Sequence, residues 1–250
     1  MSKVIVTAPQ YKRFAPFLKE LLNHGVPANA LPVYKGRNRI YKLTMGNLHV
    51  NIKVFKRPSF PNNYVYTTLR KSKARRSFEN ATRLLDMGFD TPQPIGYAEG
   101  RRCGHLVDSY YICLQLEGVH DMRYWLNDPE KRASLPGMAE LLARLHANRI
   151  WHHDFSPGNI LVGRDADGNR TYSLVDVNRM SFNVRNKRHL LRNLGTVYVE
   201  SEKETARFGR LYAKAIGKDP EWGDDKARRQ LQAYHDRKAM HRTIKRILNA

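Results

Sequence analysis

Three side chains in the second half of the chain have the types and the spacing that phosphoryl transfer requires. Asp154 lies in the segment WHHDFSPGNILV, two residues after His152 and five residues before Asn159. Another carboxylate, Asp176, ends the strand-like run SLVD. An aspartate can accept the proton of an attacking hydroxyl, and carboxylate and amide oxygens hold the magnesium ion that bridges nucleotide phosphates. Asp154 is therefore the candidate base, and Asn159 and Asp176 are the candidate metal ligands.

The spacing H-x-D-x-x-x-x-N is typical of the catalytic loop of kinases, and the triplet DVN at Asp176 stands where kinases carry D-F-G. Asn178 replaces the glycine of that triplet. His152, His153 and Asp154 are also plausible zinc ligands, but adjacent loop residues rarely surround one ion and no third cluster lies nearby. We therefore favour the kinase interpretation and expect His152 to brace the loop through its ring nitrogens.

Two residues of the first half fit the part of a kinase that binds nucleotide phosphates. Lys53 ends the run VNIK, which matches the V-A-I-K strand motif. If its neighbours Ile52 and Val54 pack inward, Lys53 points to the other face of the sheet. Glu79 lies in a segment with helical periodicity and is the expected partner that orients Lys53. The alternatives are a lysine on the wet face of a strand and a surface glutamate that balances the arginines around it.

Further candidate nucleotide contacts come from a turn and from a strand end. Gly36, in YKGRNR, stands where kinases have a glycine-rich loop, although a single glycine also fits a plain basic hairpin turn. Gln115 and Glu117 end the run LVDSYYICLQLE just before Gly118. The change at this point resembles a hinge between lobes, whose backbone would face an adenine ring.

The elements around these residues predict an α+β, bilobal, kinase-like fold. The runs RIYKL and LHVNIKVF, separated by TMGN, predict a β-hairpin, and residues 71–87 predict a helix. The second half is dominated by helical patterns, including GMAELLARLH and the long basic segment after Asp224. We therefore predict a small antiparallel-sheet lobe that binds nucleotide at 1–117 and a mostly helical catalytic lobe at 118–250.

The composition indicates attraction to a polyanion. The 250 residues carry a formal net charge of +21, which favours nucleic acid, an anionic membrane surface or a phosphorylated substrate as partner. A basic and aromatic insertion at 56–73 fits the same partners. The two cysteines form no metal-binding pattern, and no secretory signal or membrane-spanning run is apparent, so we expect a cytoplasmic protein.

The chain resembles the lipopolysaccharide core kinases of bacteria, the Kdo/WaaP-type family. The resemblance extends from about Tyr34 to the end and is carried by VNIK, FENATRLL, HHDFSPGN and LVDVNR. It implies ATP- and Mg²⁺-dependent phosphorylation of a sugar hydroxyl, of Kdo or heptose, in the inner core at the cytoplasmic face of the inner membrane. The degenerate turn at Gly36 departs from the glycine-rich loop of kinases.

Two rival functions stay open. One is a kinase-fold phosphotransferase that acts on a protein or on a small molecule such as an aminoglycoside; the basic chain disfavours a cationic substrate. The other is a catalytically silent binding module, which has no physical need for Lys53, Asp154 and Asp176 together. The expected partners are a glycolipid or sugar acceptor and an anionic membrane surface, with nucleic acid as the less favoured alternative and a monomer as the expected state.

Overall fold

We describe the protein from a computed structural model. The description covers residues 2–36, 38–57, 71–123, 129–198 and 201–248. The chain forms two compact units. The first comprises Met1–Glu117 together with the short segment Asp176–Asn178, and the second comprises Gly118–Val175 and Arg179–Ala250.

The first unit is built on a six-stranded antiparallel sheet with the strand order β1-β5-β6-β4-β3-β2. The predicted hairpin is confirmed as β3 and β4, which pair from Arg39↔Val54 to Met45↔Leu48 around a turn at Gly46. The strands are β1 (Ser2–Thr7), β2 (Leu31–Lys35), β3 (Arg39–Met45), β4 (Leu48–Val54), β5 (Pro94–Arg102) and β6 (His105–Leu114).

Two helices of the first unit belong to two separate apolar clusters of the sheet. Helix α1 (Ala15–His24) begins with a proline in its first turn and ends at Gly25, and its leucines pack with Val50 and Ile52. Helix α2 (Lys73–Asp86) contributes Ala74 and Phe78 to the other cluster. This division between clusters determines which way each side chain of β4 points.

The alternation along β4 directs Lys53 away from the α1 cluster. Ile52 is fully buried in that cluster, and Val54 packs against it. Because successive side chains of a strand point to opposite faces, Lys53 points to the face that carries Phe55 and Tyr111. The orientation expected from the sequence is confirmed.

In the residues that the structure describes, the second unit contains two small antiparallel sheets and four α-helices. One sheet has the strand order β10-β9-β7, and the other pairs β11 with β8. Its strands are β7 (His120–Asp121), β8 (Trp151–His152), β9 (Ile160–Arg164), β10 (Arg170–Leu174) and β11 (Met180–Ser181). Its helices are α3 (Pro129–Ala147), α4 (Lys187–Leu191), α5 (Glu202–Ala215) and α6 (Pro220–Leu248). None of the described helices combines the length and the hydrophobicity that a membrane crossing requires.

Helices α5 and α6 approach each other at two glycines. A Cβ atom added to Gly209 would lie 2.3 Å from the carbonyl oxygen of Gly223, and one added to Gly223 would lie 2.1 Å from that of Gly209. Such distances are well inside van der Waals contact. The helices therefore touch backbone to backbone, and only glycine fits at either position.

The helices predicted at GMAELLARLH and in the basic segment after Asp224 form, and the latter begins four residues earlier than expected, at Pro220. The stripe expected in GMAELLARLH is buried on α3, where Met138, Leu142 and Leu145 have no exposed surface. Helix α5 is capped by Ser201, whose hydroxyl accepts the Glu204 amide proton. The run MRYWLND also predicts a short helix; its residues 124–128, like most of the basic insertion at 56–73, lie outside the described residues.

Candidate active site

The catalytic loop of the second unit runs from β8 to β9. It leaves β8 after His152, passes through a 3₁₀ turn at Pro157–Asn159 and enters β9 at Ile160. The backbone N–H of Met122 donates to the carbonyls of Pro157 and Ile160, each at 3.0 Å, and so holds the turn from behind. The loop is therefore supported at both ends by strands and in the middle by a hydrogen bond.

His152 braces this loop, as its sequence position predicts. It is fully buried, and its Nδ1 accepts the backbone N–H of Asp154 at 3.1 Å. Since Nδ1 is the acceptor, Nε2 carries the proton and faces the carbonyl of Val175 at 3.3 Å. This ring holds the Asp154 backbone in place, while the Asp154 side chain is 42% exposed.

Asn159 is held so that its carbonyl oxygen can serve as a ligand. Its Nδ2 donates to the carbonyl of Asp154 at 2.8 Å and lies 3.4 Å from the hydroxyl of Ser156. Both contacts use the amide nitrogen, which directs Oδ1, the atom that binds cations, elsewhere. The carbonyl of Asn159 accepts the N–H of Val175 at 3.0 Å, one residue before Asp176.

Two residues that the sequence analysis missed hold the catalytic loop from another side. Asn193 donates through Nδ2 to the carbonyl of His152 at 2.6 Å, and the Thr196 hydroxyl lies 3.2 Å from the carbonyl of Phe155. Both belong to a turn that follows α4. No spacing in the sequence connects this turn to the loop, because the contact depends on tertiary packing.

Asn193 is itself fixed by a buried histidine. Its Oδ1 faces Nε2 of His146 at 3.2 Å, and Nδ1 of His146 lies 2.8 Å from the Tyr212 hydroxyl. Because Asn193 already uses Nδ2 as donor, His146 must donate from Nε2 and accept at Nδ1. Burial lowers the pKa of His146 to about 4, against the opposing effect of the hydrogen bond with Asn193.

Lys53, the candidate for binding phosphate, and Asp176, a candidate metal ligand, meet in the first unit. The ammonium group of Lys53 forms an ion pair with the carboxylate of Asp176. Asn178 donates to the same carboxylate oxygen, Oδ1, at 2.6 Å. Asp176 also has a left-handed backbone, with φ of 55°. Such a conformation is uncommon outside glycine and is typical of functional positions.

Helix α2 holds the segment that carries Asp176. Asn80 donates through Nδ2 to the carbonyl of Val177 at 2.7 Å, and Arg76 donates through Nη1 to the carbonyl of Asn178 at 3.0 Å. Neither residue was singled out from the sequence. Their position one helical turn apart places both on the same side of α2.

The structure does not pair Glu79 with Lys53 as expected. Glu79 forms salt bridges with Lys71 at 2.7 Å and with Arg75 at 2.8 Å. Burial alone would raise the pKa of Glu79, but hydrogen bonds from these two cations hold it below its ordinary value. The alternative stated for Glu79, a glutamate that balances the cations around it, describes this arrangement, because Arg75 lies one helical turn away and Lys71 also reaches the carboxylate. Asp176 supplies the anion next to Lys53.

The remaining nucleotide candidates lie in turns and at the end of β6. Gly36 lies between β2 and β3, and a Cβ there would lie 2.3 Å from the hydroxyl oxygen of Tyr34, the far end of an exposed side chain. The N–H of Gln115 donates to the His49 carbonyl at 2.8 Å, and its side chain turns onto the Leu116 carbonyl. Glu117 pairs with Lys42 at 2.9 Å.

The two candidate metal ligands, Asn159 and Asp176, carry oxygen donors. Among the residues that the structure describes, no three His, Cys, Asp or Glu side chains cluster as a metal site. Zinc needs three or four such ligands from the protein. Magnesium keeps several waters and takes one or two carboxylates together with substrate phosphates. Asn159 and Asp176 each offer an oxygen donor of the kind that Mg²⁺ takes.

Comparison with known sequences gives one family. The model of the lipopolysaccharide kinase (Kdo/WaaP) family matches residues 59–234, which is more than half of the chain. The matched region includes Glu79, Asp154, Asn159 and Asp176. A search of curated protein sequences found no significant match.

Comparison with solved structures gives kinase folds. WaaP in complex with acyl carrier protein matches with a TM-score of 0.59 at 15% identity, over 92% of this chain and 99% of that one. The Rio2 kinase of Chaetomium thermophilum, solved as an ADP/Mg²⁺-phosphoaspartate complex, matches with a TM-score of 0.54 at 16% identity. The match covers 91% of this chain and 72% of that one. A microcompartment-associated aminopropanol kinase matches with a TM-score of 0.52 at 11% identity, over 80% of each chain. At these identities the likeness concerns the fold, which is the α+β kinase-like fold expected from the sequence.

Proposed function

Because the chain belongs to the lipopolysaccharide kinase (Kdo/WaaP) family, we propose that it transfers the γ-phosphoryl group of ATP to a sugar hydroxyl of the lipopolysaccharide inner core. The chain is a phosphotransferase with a kinase-like fold. The finer proposal is that the acceptor hydroxyl belongs to Kdo or heptose. The observation that carries the proposed phosphoryl transfer is the ion pair of Lys53 with Asp176, because the two residues come from separate kinase motifs.

Residues of the first unit take the nucleotide in this proposal. Lys53 binds the α and β phosphates, and Asp176 and Asn159 are proposed as the ligands of Mg²⁺. When bound, the ion neutralises negative charge on the phosphate oxygens. Asn178 orients the Asp176 carboxylate through its 2.6 Å hydrogen bond. Gly36, Gln115 and Glu117 are proposed as further contacts to the nucleotide.

Glu79 is proposed as the partner of Lys53 in the nucleotide-bound protein. The reason is electrostatic: once Asp176 binds a cation, its charge no longer serves Lys53 alone, and a second anion on the same face of the sheet stabilises the ammonium group. Helix α2 carries Glu79 between Arg76 and Asn80, the residues that hold the Asp176 segment. The same helix therefore supports both anions.

Asp154 acts as the base toward the acceptor. Its carboxylate accepts the proton of the sugar hydroxyl as the hydroxyl oxygen attacks phosphorus. The supports of its loop fix where this carboxylate lies: His152 binds the Asp154 amide, and Asn193 and Thr196 bind the carbonyls on either side of it. Positioning of this kind supplies most of the catalysis that a phosphoryl transfer needs from a protein.

The proposed location is the cytoplasmic face of the inner membrane, where the protein binds an anionic membrane surface. The proposed oligomeric state is a monomer. The net charge of +21 supports attraction to a bilayer that holds phosphorylated, carboxylated glycolipid. Every residue of helix α6 from His235 to Ile244 is exposed, and Arg237, Lys238 and Arg242 lie in this stretch. Each basic residue near such a surface contributes about 1 kcal/mol of attraction.

Mass spectrometry of lipopolysaccharide tests the proposed reaction. Core oligosaccharide from cells with the gene should carry one phosphate more than that from cells without it. Complementation with wild type should restore the phosphate, and complementation with Asp154→Asn should not. An unchanged core would refute the proposal and favour a different acceptor.

Sedimentation with vesicles tests the membrane proposal. Binding to vesicles that contain anionic lipid should fall steeply between low and high salt, because screening weakens exposed charges. Neutral phosphatidylcholine vesicles are the control. Equal binding to both kinds of vesicle would contradict an electrostatic attachment.

A further inference from the structure

Arg179 is fixed beside the candidate base by its backbone. Its carbonyl accepts the N–H of His153 at 2.9 Å, and the next two residues, Met180 and Ser181, pair with the β8 strand that leads into the catalytic loop. The guanidinium Nη1 lies 3.6 Å from Oδ2 of Asp154. Arg179 therefore stands next to Asp154 because strand pairing places it there.

The contact between these two side chains is weak enough to be exchanged. At 3.6 Å it is longer than a hydrogen bond, and the two side chains are 58% and 42% exposed. Ion pairs of this kind contribute little to stability. An arginine also carries five N–H donors in a planar fork that matches a carboxylate or a phosphate.

The chain around Arg179 favours an incoming anion. Between Asp176 and Glu200 the sequence contains no acidic residue. Clustered charge of one sign raises the local concentration of a ligand of opposite sign. The same stretch contains five arginines and lysines: Arg179, Arg185, Lys187, Arg188 and Arg192.

We propose that Arg179 receives the acid group of the acceptor sugar and releases Asp154 as it does so. This inference rests on the proposed function. A hydroxyl bound to Asp154 and an acid bound to Arg179 must lie within one or two sugar rings, because the two side chains are 3.6 Å apart. The ligand of Arg179 is thus a carboxylate or a phosphate on the acceptor sugar or on its neighbour.

Binding of that acid prepares the transfer step. The Arg179 fork turns to the ligand, and the Asp154 carboxylate becomes available to the hydroxyl. The hydroxyl oxygen then forms the new bond to phosphorus, the bond to the ADP oxygen breaks, and the hydroxyl proton passes to Asp154. An alcohol without an acid group meets an Asp154 that is still paired, so Arg179 determines specificity as well as position.

The experiment compares one arginine with a matched one. Arg179→Gln removes the charge and keeps polar length, and Arg179→Lys keeps the charge without the fork. Arg229→Gln is the control, since Arg229 is also an exposed arginine paired with an aspartate, Asp225 at 2.7 Å, on α6. Thermal melting establishes that each full-length variant is folded. The acceptors are one Kdo- and heptose-bearing core glycolipid in three forms: untreated, with carboxylates reduced to alcohols, and treated with phosphatase.

The kinetic pattern decides the outcome. For wild type, KM for the acceptor should rise about tenfold when the recognised acid is removed, and the treated form that shows this rise identifies that acid. Arg179→Gln should show the same rise with the untreated acceptor and no further rise with the treated one. Arg179→Lys should fall between, and Arg229→Gln should match wild type. Hydrolysis of ATP without acceptor is measured for every variant.

Other results overturn the inference separately from the proposed function. If wild type phosphorylates the glycolipid and Arg179→Gln keeps the same KM and the same discrimination, only the role of Arg179 is refuted. A lower kcat with unchanged KM, together with slower hydrolysis of ATP, would assign Arg179 to loop structure and also refute it. If wild type phosphorylates none of the three forms, the proposed function fails and this inference fails with it.

Discussion

The ammonium group of Lys53 is ion-paired with the carboxylate of Asp176, which follows it by 123 positions in the chain. Nζ of Lys53 also lies 5.4 Å from the centre of the Phe55 ring. The cation thus has an anion and an aromatic face as neighbours, and both side chains of the ion pair are mostly buried. Two motifs that are distant in sequence therefore meet in one unit of the fold.

Lys53→Met should lower both stability and nucleotide binding. It leaves the Asp176 carboxylate mostly buried without its cation, which we expect to cost about 1–3 kcal/mol of unfolding free energy. The affinity for ATP should fall by at least about tenfold, because the phosphates lose a charged donor. Chemical denaturation and calorimetric titration measure the two effects.

The control for this change is Lys3→Met, which alters an exposed strand lysine on β1. It should leave the denaturation midpoint and the ATP affinity near those of wild type. An ATP affinity in Lys53→Met equal to that of Lys3→Met would remove Lys53 from the nucleotide site.

Asp154→Asn should abolish turnover while nucleotide binding persists. The amide has the shape of the carboxylate but cannot accept the hydroxyl proton, and a positioned base contributes about 10²–10⁴-fold to rate. Steady-state kinetics should show kcat reduced by that factor with the Kd for ATP within about twofold of wild type. Wild-type turnover in this variant would mean that the base is another residue.

The contrast between Lys53 and Glu79 shows how far sequence patterns reach. The alternation of apolar residues along β4 is a local property, so it predicted which way Lys53 points. The partner of Glu79 depends on which cations stand near it, and Lys71 and Arg75 both reach the carboxylate. A motif supplies residue types and order, whereas ion pairing depends on distances that the motif does not contain.

The same limit applies to the supports of the catalytic loop. The spacing of His152, Asp154 and Asn159 identified the loop because those residues are close in sequence. Asn193 and Thr196 hold its carbonyls from a turn about 40 residues later. Asparagine and threonine in a turn have many ordinary uses, and only the folded chain shows that these two bind the loop.

Glu79→Gln tests the proposed exchange of partners by Lys53. If Glu79 stabilises Lys53 when ATP and Mg²⁺ are bound, the variant should raise KM for ATP severalfold, because one anion of the nucleotide-bound site is lost. The exposed Glu20→Gln on α1 is the matched control and should behave as wild type. An unchanged KM for ATP would leave Glu79 as a partner of Lys71 and Arg75 alone.

Asn178→Gly should weaken metal binding. The substitution restores the glycine of the D-F-G pattern but removes the 2.6 Å hydrogen bond that orients the Asp176 carboxylate. We expect the Mg²⁺ concentration for half-maximal activity to rise by about threefold to tenfold, which corresponds to about 1 kcal/mol, the net contribution of one typical hydrogen bond. Asn178→Ala separates the two effects, because it removes the bond without adding backbone freedom. A metal dependence equal to that of wild type in both variants would show that Asn178 does not tune Asp176.

The buried His146 should make the protein less stable in acid. Its pKa is about 4 in the folded chain and near 6.5 when unfolded, so between these values the unfolded chain binds the extra proton. The contribution of neutral His146 to the free energy of unfolding is fully present above pH 6.5. It is lost as the pH falls toward 4, by roughly 3 kcal/mol in all. Denaturation at a series of pH values measures this slope.

His146→Gln should flatten that slope, since glutamine does not titrate and still offers a donor to Asn193. His241→Gln, at an exposed position on α6, should leave the slope as it is in wild type. The same slope in all three proteins would assign the acid sensitivity to other groups.

The paired glycines of α5 and α6 limit how this part of the protein can change. Where side chains fill an interface, a larger residue on one helix can be balanced by a smaller one on the other. Gly209 and Gly223 offer no such exchange, because each already faces the carbonyl of the other and neither can become smaller. A side chain at either position would force the two helices apart. We therefore expect related chains to keep this spacing and to vary elsewhere on the surfaces of the two helices.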